Sequence, residues 1–257
     1  MTSGKKARRQ RRVPAPPPVR STGGRKASPK VLAIGAGVIA LAAVAVVLAV
    51  VLRNGDSSNP ATTNASKLPD AGAVAQLFRG IPQHGAALGS PNAPVTMVEY
   101  IDLQCPFCRD FELNILPEIL SKYVRTGKLL IQARPVAFLG QDSQSGRDAA
   151  LAAAAQNRFF DFTQLLYLNQ GTENTGWLND SIISSAFASI RGLEVQAAQA
   201  ARSSSSVQAQ EARFDRQAVA DKLSGTPLVL VGKTGGRLTV VQNDVGSISA
   251  AVDRALG

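Results

Sequence analysis

The run Val95-Thr96-Met97-Val98-Glu99-Tyr100-Ile101 stops three residues short of Cys105-Pro106-Phe107-Cys108, and this junction constrains the fold more than any other stretch. Apolar, β-branched and aromatic residues in so short a run read as a strand, and the breaker cluster Gly89–Pro94 marks its start. Proline suits the first turn of a helix, where a missing N–H loses no intrahelical partner. Cys105 then falls at the N-cap. The helix is expected to run to about Val124 and stop before Gly127, with Pro117 kinking it.

Cys105 and Cys108 are the only cysteines in the chain. At a helix N-cap, the unpaired N–H groups of Phe107 and Cys108 and the positive end of the helix dipole favour a thiolate on Cys105. Cys105 is therefore expected to be the exposed, acidic nucleophile and Cys108, on the same face, the buried resolving thiol. A static disulfide is the first rival, but a bridge closing so small a loop removes little chain entropy. Zinc is the second, and structural zinc needs four ligands where this chain offers two cysteines and one histidine, His84. His84, flanked by Pro and Gly, reads as a surface residue. The spacing serves thiol–disulfide exchange, with no metal and no cofactor.

Charge is distributed unevenly. Residues 1–30 hold ten Lys/Arg and no acid, so the remaining 18 of the 28 Lys/Arg balance the 18 Asp/Glu of the rest. The net charge of +10 thus belongs to a basic, Pro- and Gly-rich tail that is expected to be disordered, and nothing in the main domain calls for nucleic acid. Residues Val31–Leu52 are 22 consecutive uncharged, mostly aliphatic residues. At about 1.5 Å each they span a hydrocarbon core of about 30 Å, longer than the apolar core of a secretory signal. The positive-inside rule keeps the tail in the cytoplasm and puts the rest outside. Domains are expected at 1–30 (tail), 31–52 (transmembrane helix), 53–80 (linker) and 81–257 (folded domain).

Within the folded domain Lys128–Arg134 reads as a second strand. Residues Asp142–Leu223 carry little strand signal and several helices, with Phe159, Phe162 and Leu166 at helical spacing as core residues. Pro227–Val231 and Leu238–Val241 flank the turn Gly232–Gly236 as a hairpin, and Ile248–Leu256 closes as an amphipathic helix.

Val95–Cys108, Leu88–Val95, Pro117 and Gly225-Thr226-Pro227 together resemble the active-site strand, its lead-in, the first helix and the proline loop of DsbA-like thioredoxin-fold proteins, in their membrane-anchored Gram-positive branch. The resemblance covers about 81–257 and implies an α/β thioredoxin-like fold with a helical insertion at about 142–223, preceded by one transmembrane helix. It implies a cis Pro227 facing the cysteines, and Pro106, Phe107, Thr226 and Pro227 lining a groove for extended substrate. Glu99, six residues before Cys105, falls where the family often holds a buried acid that exchanges a proton with Cys108. A rim carboxylate is the alternative reading of Glu99, and Asp102 competes for the role.

The resemblance further implies an extracytoplasmic oxidoreductase that donates disulfides to unfolded secreted or cell-envelope proteins. Its reoxidant is then a quinone-linked membrane partner of the DsbB or vitamin-K-epoxide-reductase type. The same fold run as a reductase or isomerase, and a binding module with an inert disulfide, are the alternatives. Strong oxidants of the family carry His where this chain has Phe107, so thiolate stabilisation is expected to rest mainly on the helix terminus.

Overall fold

Six strands form one sheet: β1 (Gln83–His84), β2 (Ala87–Leu88), β3 (Val95–Ile101), β4 (Leu129–Pro135), β5 (Leu228–Lys233) and β6 (Thr239–Val241). The structure is a computed structural model that describes residues 66–257. The basic tail, the apolar segment 31–52 and the start of the linker lie outside those residues. Among the described residues no helix is long and apolar enough to cross a membrane.

The strand order is β1-β2-β4-β3-β5-β6. β3 pairs in parallel with β4 and antiparallel with β5, placing Glu99 opposite Ala133 on one side and Val229 on the other. Every residue of β3 is buried, as a strand covered on both faces requires. β5 and β6 form the expected hairpin. β1 and β2, which the sequence reading did not find, form a short antiparallel hairpin that adds to β4. Gly89 follows β2 with φ +109, and a Cβ there would lie 2.8 Å from the Leu129 carbonyl oxygen. That conformation and that approach both require glycine.

The first of the described helices, α1 (Ala71–Leu77), falls at the end of the stretch 53–80 expected as linker. Val74 and Phe78 are buried, and the Phe78 ring meets Phe160 at 6.0 Å, so folded structure begins some ten residues earlier. α2 starts at Pro106 and continues to Val124 through π-helical turns at Phe111–Ile115 and Leu120–Val124. The first π turn lies just ahead of Pro117, whose ring would otherwise meet the carbonyl of the preceding turn.

Between β4 and β5 runs the helical insertion: α3 (Gln141–Ala154), α4 (Phe159–Leu168), α5 (Asp180–Ser189), α6 (Val195–Ala201) and α7 (Ser205–Ala220). Phe159, Phe162, Leu166 and Phe187 are fully buried, with Phe162 and Phe187 rings 4.9 Å apart. Burying each such side chain stabilises the fold by about 1.5–3 kcal/mol. Arg147 on α3 reaches α7 through Asp215 at 2.8 Å. α8 (Val245–Leu256), N-capped by the Asp244 carboxylate, closes the chain against β5.

Candidate active site

Cys105 is the N-cap of α2, with φ −70 and ψ 120, and Pro106 takes the first helical position. Both cysteines are free thiols. The Cys105 thiol donates to the Thr226 carbonyl oxygen at 3.3 Å, and the Asp102 N–H donates to Cys108 Sγ at 3.5 Å. The Thr226–Pro227 peptide bond is cis and half-buried beside Cys105. The structure thus brings Cys105, Cys108, Pro106 and Thr226–Pro227 together, while the Phe107 ring is 73% exposed. The exposure expected of Cys105 is not found: it is 4% exposed and Cys108 0%. The Thr226 carbonyl lies against the Cys105 sulfur and Gln170 of the insertion against the Cys105 carbonyl.

The two thiols differ sharply in acidity. Cys105 is lowered to about 6, first by a hydrogen bond from the Cys108 thiol. Burial opposes this, and the Thr226 side chain and the N–H groups of Cys108 and Phe107 add to the lowering. The helix terminus therefore contributes without leading, where the sequence put it first. Cys108 is raised well above an ordinary thiol by burial first, then by its hydrogen bond to Cys105 and the charge on that sulfur. An acidic sulfur beside a non-acidic one is an arrangement for directional exchange.

Glu99 lies on β3 with no exposure, so the rim alternative fails. Neither of its carboxylate oxygens has a hydrogen-bond partner, and burial raises it to about 8. Asp102, its rival, is fully engaged: Oδ1 accepts from the Gln104 N–H and the Ser143 hydroxyl at 2.8 Å each, and Oδ2 from the N–H groups of Phe138 at 2.8 Å and Leu139 at 2.9 Å. A carboxylate so saturated is an anchor for the loop after β4.

The sequence reading missed Glu112. It is 1% exposed, both its oxygens lack partners, and burial and the charge of Glu99 raise it well above the carboxylate range. Its spacing, four residues after Cys108 on the same helix face, was the available signal. Tyr167 is fully buried, its hydroxyl donates to the Asp102 carbonyl at 3.1 Å, and burial first, then the nearby acidic groups, push its pKa well up. His84 is exposed on β1. Among the described residues no three His, Cys, Asp or Glu side chains group as a metal set.

The family model described as thioredoxin matches residues 83–253. The chain belongs to that family. A probable disulfide bond formation protein D of Bacillus cereus is 28% identical over 173 residues, covering 66% of this chain and 78% of that protein. Oxidised BdbD of Bacillus subtilis superposes with a TM-score of 0.60 at 21% identity, covering 68% of this chain and 97% of that one. The alpha-DsbA1 of Wolbachia pipientis gives a TM-score of 0.55 at 20% identity over 66% and 89%. The family match at 83–253 spans both the sheet and the helical insertion. The chain is a DsbA-like protein thiol–disulfide oxidoreductase.

Proposed function

We propose that this oxidoreductase donates the Cys105–Cys108 disulfide to thiols of secreted or cell-envelope proteins, from a domain held outside the cytoplasm by the apolar segment 31–52. The observation that carries the reading is the split between the sulfurs, with Cys105 lowered to about 6 and Cys108 raised. A stabilised thiolate favours the reduced pair and so makes the disulfide the better oxidant. The name of the Bacillus cereus relative supports the same direction.

A substrate thiolate attacks Cys105 Sγ, the Sγ–Sγ bond breaks, and Cys108 leaves. Glu99, neutral at pH 7 by its raised pKa, gives Cys108 a proton and regains one from solvent. The second substrate thiol, deprotonated, attacks the substrate sulfur of the mixed disulfide. Cys105 leaves as a thiolate, which its low pKa makes a good leaving group. The substrate loses two electrons and the cysteine pair gains them. Pro106, Phe107, Thr226 and Pro227 form the surface on which the substrate chain lies. A quinone-linked membrane partner, of the DsbB or vitamin-K-epoxide-reductase type, takes the two electrons onward.

Cys108→Ala is expected to trap mixed disulfides through Cys105, and Cys105→Ala is not. Equal trapping by the two variants overturns the assignment. A pair found reduced in growing cells, with a low potential, overturns donation in favour of reduction. A chain beginning after residue 52 and released to the medium overturns the anchor.

A further inference from the structure

The backbone just ahead of Cys105 is held by side chains from the helical insertion. The Tyr167 hydroxyl donates to the Asp102 carbonyl at 3.1 Å. Gln170, two residues past α4, donates its Nε2 to the Leu103 carbonyl at 2.9 Å and to the Cys105 carbonyl at 3.2 Å. Three carbonyls of residues 102–105 thus accept from the end of one helix.

Gln104 completes the clamp from the opposite partner. It is 1% exposed. Its Oε1 accepts the Asn174 N–H at 2.8 Å, and its Nε2 donates to Asn174 Oδ1 at 3.2 Å and to Ser143 Oγ at 3.0 Å. Residues 171–176, the loop so held, are all exposed. Ordering an exposed loop costs about 1–2 kcal/mol per residue in backbone entropy, with little apolar burial in return. Gly176 is tied to Asp142 and Asn179, and the remaining tertiary hydrogen bonds of the loop, through Asn174, go to Gln104, next to Cys105.

That placement has a consequence for the sulfur. Cys105 is the extended N-cap of α2, and that backbone conformation sets where its sulfur lies relative to the N–H groups of Phe107 and Cys108 that help to lower its pKa. Its carbonyl is fixed by two donors, the Arg109 N–H at 3.1 Å from within α2 and Gln170 from the insertion. Cys105 is therefore held at its sulfur by Thr226 and at its carbonyl by Gln170. We propose that Gln170 and Gln104 are positioning residues for the Cys105 sulfur, and that the loop at 169–176 serves to hold them there. This rests on Cys105 being the sulfur that exchanges with substrate.

The test titrates the thiolate absorbance of the reduced, full-length chain in detergent and follows its rate with a small chromogenic disulfide. Gln170→Leu keeps the volume and removes the donor. A loosened charge-assisted hydrogen bond moves the midpoint up by about one unit. Near pH 6 the rate then falls about fivefold, because the thiolate fraction falls by that factor. Near pH 9, where both proteins are thiolate, the rates converge; a general structural defect lowers both alike and overturns the proposal. Asn174 has φ 56, which glycine adopts freely, so Asn174→Gly suits the backbone and removes the acceptor for Gln104 together with an exposed donor to Glu173. It is expected to move the midpoint the same way by less. An unchanged midpoint in folded Gln170→Leu, or in Asn174→Gly, overturns the proposal. Cys105→Ser must abolish the titration; its persistence there refutes the nucleophile assignment itself.

Discussion

Replacing Cys108 by alanine separates two accounts of the acidic thiol. If the helix terminus alone lowers Cys105, its acidity survives the change, because the N–H groups of Phe107 and residue 108 remain. In the structure the Cys108 thiol is the largest contributor to a value of about 6. A hydrogen bond to a charged group contributes about 1.5–3 kcal/mol, or about 1–2 pKa units. Water entering the space left by the thiol replaces part of this, so a rise of about one unit is expected. The thiolate fraction at pH 7 then drops from about nine-tenths to about one-half. Ultraviolet titration of the reduced variant reads this directly. A midpoint still at about 6 would refute the reasoning and return the effect to the helix terminus.

Further outcomes follow from the same geometry. Burial raises Glu99 to about 8 from 4.5 and raises Glu112 as well, so the folded chain keeps protons that the unfolded chain releases. Their contribution to stability is full below about pH 4.5 and is lost as pH rises through about 8. The oxidised chain, in which Cys105 does not titrate, is therefore expected to lose stability over that window. Glu99→Gln combined with Glu112→Gln flattens the decline in denaturant midpoints, and equal slopes count against the buried pair. Phe107→His adds a donor near the Cys105 thiolate, so its pKa falls and the potential becomes more oxidising, by about 30 mV for each ~1.4 kcal/mol. An unchanged potential would mean that this position does not reach the sulfur. Gly89→Ala forces a side chain into φ +109 against the Leu129 carbonyl and is expected to cost about 1–3 kcal/mol in urea unfolding. A neutral result would show that the hairpin shifts to accommodate it.

Much of this protein was legible in its order of residues, because the deciding signals are local. A strand-like run, a cysteine N-cap and a proline in the first helical turn sit within fourteen consecutive positions, Val95–Cys108. Those neighbours place an unpaired set of N–H groups beside one sulfur whatever the rest of the chain does. The insertion and the closing hairpin were readable for the same reason, from periodicity over long segments. Tertiary structure decided what local signals cannot carry. Two-residue strands such as Gln83–His84 show no period, and only pairing across the sheet creates them. Asp102 and Glu99 are equivalent as acids three positions apart. One is saturated by the nearby Gln104 N–H and by three groups 36 to 41 residues away, and the other is left without partners, because the loop after β4 and the start of α3 return to the first alone. Glu112 joins Glu99, and Gln170 meets the Cys105 carbonyl, through the packing of a helix and an insertion that adjacency in sequence does not encode. The chemistry of the cysteine pair was thus written locally, whereas the burial of its sulfurs, its partner acids and its supports came from contacts that exist only once the chain has folded.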